Sequence, residues 1–228
     1  RNLPWVWRSM SRSLAMSAKS RIGWLTSSRI GGLTWLAWYV LKQYFPPLAV
    51  GGMTLVVWVG LTGGLHLDGL ADCCDGLLSS NTRERRLEIM KDPHLGTFGG
   101  IGLILVLFSK IVALSMLTSS NGLGIIFAAT ISRWMILPAS LLPIANPGGM
   151  AADFASGIRR RVIFLSAVFP LGLACVLGFP GVIALVAAGV AATAVLVLSY
   201  RRINGVTGDV FGMLVEVTEA AVLLSLTL

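Results

Sequence analysis

Three carboxylates, Asp68, Asp72 and Asp75, stand at i, i+4 and i+7 in the string His66-Leu67-Asp68-Gly69-Leu70-Ala71-Asp72-Cys73-Cys74-Asp75-Gly76. That spacing predicts one helix face, with the three side chains spread over roughly 60°. An apolar run precedes them, and like charges beside apolar chain are costly unless something compensates. A divalent cation is the simplest compensation. Mg²⁺ takes oxygen ligands and is commonly shared between one or two carboxylates and substrate phosphates. The chemistry implied is metal-assisted attack on a phosphate, with Asp68, Asp72 and Asp75 as metal ligands. Gly69 and Gly76 leave room for a diphosphate or a neighbouring backbone.

A second stretch runs from Arg83 to Gly99. Glu84, Glu88 and Asp92 are four apart, so a helix would align them. Arg85, Arg86 and Lys91 are candidate phosphate-oxygen donors. Asp92 is a candidate metal ligand or general base. Gly96-Thr97-Phe98-Gly99 reads as a flexible lead-in to the next apolar segment. The third set is Asp209, Glu216 and Glu219, all on one face of a last helix. Acids inside an apolar segment need partners, and Lys110 and Arg133 are the cations within such segments. Arg133 can bind a substrate phosphate or pair with Glu216. The candidate catalytic residues are therefore Asp72, Asp92 and Arg133. The candidate substrate-binding residues are His66, Arg85, Lys91, Thr97, Asp209 and Glu216.

The elements that hold these residues are apolar. The chain has 228 residues, 55% of them hydrophobic and 12% charged, with a mean hydropathy of +0.82. Soluble domains carry about 25% charged residues. The expected fold is an all-α, polytopic integral membrane bundle of about seven transmembrane helices. Continuous apolar runs, not alternating ones, argue against a β-barrel. The expected segments are Ile22–Tyr44, Leu48–Leu67, Phe98–Leu117, Leu123–Leu142, Val162–Gly178, Val182–Ser199 and Asp209–Leu228. A basic N-terminal segment, residues 1–29, would precede a catalytic domain over 30–228.

The net charge of +8 is a matter of topology, and no nucleic-acid partner is expected. With the N-terminus in the cytoplasm, fifteen Lys or Arg residues fall in inside segments and Lys42 alone falls outside. That asymmetry predicts a multi-pass membrane protein with its N-terminus and its acids on the cytoplasmic face. The run Arg159-Arg160-Arg161 suits contact with lipid headgroups. Self-association is compatible with this reading. Cys73, Cys74 and Cys175 form neither a zinc spacing nor a disulfide framework.

The His66–Gly76 string, the string Leu87-Glu88-Ile89-Met90-Lys91-Asp92 with Gly96-Thr97-Phe98-Gly99, and the Thr207-Gly208-Asp209…Glu216…Glu219 ending resemble the cobalamin synthase family. The likeness covers about residues 48 to 228. Cys73-Cys74 varies the interior of the first motif, and Pro93-His94 replaces a more usual small polar pair. The resemblance implies an adenosylcobinamide-GDP ribazoletransferase that uses Mg²⁺. Its substrates would be adenosylcobinamide-GDP and α-ribazole or its 5′-phosphate, with GMP as leaving group. In that reaction Asp92 would complete the metal site or act as base, and Arg133 with Lys91 would steady phosphates. Two alternatives stay open on the residues alone. One is a CDP-alcohol-type phosphotransferase, although Asp72 stands where that class has Ala. The other is a cation transporter, although the acids gather at one interface and not at a midplane between repeats.

Overall fold

The computed structural model describes residues 27–147, 149–158 and 160–228. The expected N-terminal segment lies outside these, apart from its last three residues. Among the described residues the structure is helical, in chain order α1 (27–41), α2 (Pro47–Thr62), α3 (Leu65–Leu78), α4 (Arg83–Ile89), α5 (Thr97–Met116), α6 (Gly124–Ala139), α7 (Met150–Ala155), α8 (Arg160–Leu177), α9 (Phe179–Ile203) and α10 (Gly208–Ser225). A single parallel bridge pairs Ile144 with Val206.

The α10 helix is the axis of the bundle. It packs against α3, α5, α6 and α9 and is buried on nearly every side from Val210 to Ser225. A helix buried all round needs no polar face, so its acids stand out. The outer helices do the opposite. Ile104, Leu105 and Phe108 of α5, Phe164, Leu165 and Val168 of α8, and Val182, Val186 and Val190 of α9 are exposed. Such contiguous apolar faces belong against lipid. Among the described residues three helices, α5, α8 and α9, are long and apolar enough to cross a membrane, and α2 with α3 makes a fourth if the bent pair is one span. The shorter α6 is apolar as well.

Within the described residues each apolar segment of the sequence becomes a helix, with one change that matters for the site. The expected second span does not continue to Leu67. It stops at Gly63 and Gly64, with φ of 63° and 71°, a left-handed conformation that glycine adopts without a Cβ penalty. The chain there turns by 95°, and the acidic string becomes a separate helix, α3.

Side-chain contacts sort the loops into two groups. Arg83 donates from Nε to the Ile203 carbonyl (2.9 Å) and Arg86 from Nη1 to the Arg202 carbonyl (3.2 Å). The amide of Ala145 donates to the Val206 carbonyl (2.9 Å). The segments expected in the cytoplasm therefore meet at one end. At the other end Lys42 Nζ donates to Ser119 Oγ (2.5 Å), and Asn121 Nδ2 donates to the Leu226 carbonyl (2.6 Å).

Candidate active site

The acid face of α3 is assembled by close helix contacts. Gly69 of α3 and Gly212 of α10 face one another: a Cβ on Gly69 would lie 2.8 Å from the Asp209 carbonyl oxygen, and one on Gly212 would lie 3.0 Å from that of His66. The crossing brings the start of α10 against α3. Asp72 thereby lies within electrostatic reach of Asp68, Asp209 and Asp75. Asp68 is exposed, and Asp72, Asp75 and Asp209 are half-buried. Thr207 caps α10 by accepting the Val210 amide (3.3 Å), and its hydroxyl donates to Asp209 Oδ2 (3.3 Å).

Asp75 differs from the other acids. Its Oδ2 accepts the Gly96 amide (2.8 Å), and its Oδ1 accepts the Gly99 amide (2.8 Å). It caps the first turn of α5, where free N–H groups and the helix dipole favour a carboxylate. Gly96 and Gly99 allow that approach, since a Cβ on either would sit 2.3 Å from an Asp75 oxygen. The Gly96–Gly99 string is thus a fitted contact and not a flexible lead-in. Thr97 begins α5 and is exposed.

Beside the acids lies a cleft of about 190 Å³, lined by Leu87 of α4, by Met90 and Lys91 just after it, by Asn146, Gly149 and Ala151, and by Thr207, Gly208 and Asp209. Lys91 and Asp209, both expected to bind substrate, meet here. Other expected residues are committed elsewhere. Arg85 pairs with Glu88 at the surface (2.9 Å), and Arg86 is spent on the carbonyls of Ser79 and Arg202. Asp92 is exposed and its carboxylate contacts His94, accepting the His94 amide (3.0 Å) and lying 2.6 Å from its Nδ1. Those hydrogen bonds hold the Asp92 pKa below its ordinary value.

A buried ion cluster lies deeper. Lys110 Nζ contacts Glu216 Oε2 and Glu219 Oε2, each at 2.5 Å. Arg133 Nη1 contacts Glu219 Oε1 at 2.5 Å and also donates to the Ala129 carbonyl (2.9 Å). Two cations thus face two carboxylates, the balance that burial demands. Arg133 and Glu216 are therefore held in this cluster, Arg133 through Glu219 and not through Glu216. The half-buried His66 lies within electrostatic reach of Arg133, Glu219 and Lys110.

Asp68, Asp72 and Asp209 offer oxygen donors only, and their mutual repulsion suits a hard divalent cation. Among the described residues no group of three or more His, Cys, Asp or Glu side chains is placed to hold a metal ion.

The sequence reading missed Asn146. It lies between α6 and α7, and nothing local in the sequence indicates that this segment lines a cleft with Asp209.

A bundle of membrane-length helices, with an acidic face and a lysine-flanked cleft at one end, defines a helical membrane protein equipped to handle phosphorylated ligands. More narrowly, the chain belongs to the cobalamin-5-phosphate synthase family, whose sequence profile matches residues 3–227. It is 37% identical over 207 residues to an adenosylcobinamide-GDP ribazoletransferase of Desulfitobacterium hafniense (strain Y51), covering 86% of this chain and 80% of that protein. A protein of that name from Pseudomonas savastanoi pv. phaseolicola is 38% identical over 206 residues, covering 86% and 83%. Another, from Clostridium botulinum (strain 657 / Type Ba4), is 35% identical over 211 residues, covering 89% and 83%. No solved structure matches the chain.

Proposed function

We propose that this chain joins adenosylcobinamide-GDP to α-ribazole or its 5′-phosphate, releasing GMP, at the cytoplasmic face of a bacterial inner membrane. The observation that carries the reading is the crossing of α3 and α10, which gathers Asp68, Asp72 and Asp209 next to a cleft edged by Lys91. Names of relatives supply the substrates, and the basic loops gathered at the same end support the orientation.

In the reaction the ribazole hydroxyl oxygen bonds to the phosphorus that carries the cobinamide. The bond from that phosphorus to the bridging oxygen breaks, and GMP leaves with that oxygen. An alcohol is a weak nucleophile, so its proton needs an acceptor. Asp209 takes that role, because its carboxylate belongs to the acid set and also lines the cleft. The assignment of the base thus moves from Asp92, whose contacts are with His94, to Asp209. Lys91 meets phosphate oxygens at the cleft edge. Asp68 and Asp72 would hold Mg²⁺ together with substrate phosphate oxygens, and the ion when bound would neutralise diphosphate charge and polarise the attacked phosphorus. Asp75 sets the position of α5. Arg133 and Glu216 fix the bundle beneath the site.

The test is product formation. Purified protein in lipid vesicles, given adenosylcobinamide-GDP, α-ribazole and Mg²⁺, should release GMP and form a cobalamin in equal amounts. Failure of α-ribazole to stimulate GMP release would refute the reading.

A further inference from the structure

We infer that the cleft between α4 and the start of α10 seats the acceptor nucleoside, and that Asn146 orients it. This inference rests on the proposed reaction and assigns one of its two substrates to a place.

Size is the first argument. An apolar cavity of about 150 Å³ takes one benzene ring. The cleft, about 190 Å³, takes one aromatic ring, with the rest of a nucleoside at its mouth. It is far too small for a corrin macrocycle. Chemistry is the second. One wall is Leu87, Met90 and Ala151, and the polar groups are Lys91, Asn146, Thr207 and Asp209. α-Ribazole has a methylated benzimidazole base, with few hydrogen-bonding atoms, on a ribose rich in them. An apolar wall with a polar edge suits that division.

The third argument is how Asn146 is held. On one side of it, the Ala145 amide donates to the Val206 carbonyl and the Val206 amide to the Pro143 carbonyl, both at 2.9 Å. Arg83 Nη2 reaches the Ala145 carbonyl (3.4 Å). On the other side, the Gly149 amide donates to the Asn146 carbonyl (3.2 Å). The backbone is fixed on both sides, Asn146 lines the cleft, and its carboxamide makes no hydrogen bond with the described residues. An amide both donates and accepts, so it can hold a sugar hydroxyl between the lysine and the carboxylate. With the hydroxyl so held beside Asp209, the proton to be removed faces its acceptor.

Steady-state kinetics of the full chain in lipid vesicles tests this. Asn146→Ala should raise KM for α-ribazole about tenfold, the loss of one well-placed hydrogen bond, with KM for adenosylcobinamide-GDP changed less than about twofold. Leu87→Trp, which fills the apolar wall, should do the same. Calorimetric titration of α-ribazole into each variant gives the affinity without turnover. An unchanged α-ribazole KM and affinity in both variants would overturn the inference while leaving the reaction intact. A rise confined to adenosylcobinamide-GDP would overturn it too and assign the cleft to the guanosine. A wild-type protein that releases no GMP would remove the reaction itself, and the inference with it.

Discussion

Asp75 and Gly99 are joined by a hydrogen bond of 2.8 Å from the Gly99 amide to Asp75 Oδ1, across 24 residues of chain. The acid that looked like the third metal ligand is the cap of the next helix. Both its oxygens are engaged by backbone amides. Asp75→Asn should therefore lower the midpoint of thermal unfolding while leaving the Mg²⁺ dependence of turnover unchanged. A large rise in the Mg²⁺ concentration needed for half-maximal rate would return Asp75 to the metal site.

Gly99→Ala tests the same contact from the other side. Its new Cβ would lie 2.3 Å from Asp75 Oδ2 and 3.0 Å from the Ala71 carbonyl oxygen, so the Asp75 carboxylate must leave the α5 amides or α3 and α5 must part. The expected cost is about 1–3 kcal/mol, read from denaturant unfolding in detergent. Gly100, one residue on, has open space around it, and Gly100→Ala should be nearly neutral there.

The ion cluster predicts a large effect on folding. Lys110 is 2% exposed and touches both Glu216 and Glu219. Lys110→Met leaves one positive charge against two buried carboxylates and should cost about 3–5 kcal/mol. Adding Glu216→Gln to Lys110→Met restores the balance and should recover much of the loss. A double variant as unstable as the single would show that the charges are not coupled.

Asp92 is stabilised as an anion by His94, which lowers its pKa. A lowered folded-state pKa contributes stability above the unfolded value, and that contribution is lost as pH falls through the lowered one. Asp92 therefore keeps its charge to more acid pH than an ordinary carboxylate. His94→Ala should move the Asp92 titration up, seen by carbon NMR of a labelled side chain. With Asp209 as the base, the same variant should leave the acid limb of the kcat profile in place. A shift of that limb would make Asp92 the base.

Much of this arrangement is legible in the chain, for physical reasons that differ by residue. Periodicity places Asp68, Asp72 and Asp75 on one helical face, and they do share α3. The cost of buried charge requires partners for Glu216 and Glu219, and Lys110 and Arg133 supply them. The break at Gly63-Gly64 is not legible, because glycines also occur within membrane helices and only the packing of α3 across α10 selects the left-handed conformation. The partners of Asp75, and the place of Asn146 beside Asp209, depend on helix contacts between distant segments. Local spacing carries no signal for such contacts.

The central claim is that Asp72 and its neighbours perform a Mg²⁺-assisted transfer. The direct measurement is single-turnover GMP release by wild type and Asp72→Asn, each with Mg²⁺ and with EDTA, alongside thermal unfolding of both without metal. Wild-type release should fall at least about 100-fold in EDTA and in Asp72→Asn. The variant should unfold at the same temperature as wild type or higher, because one repelling charge is gone. An Asp72→Asn protein that turns over at the wild-type rate would contradict the account.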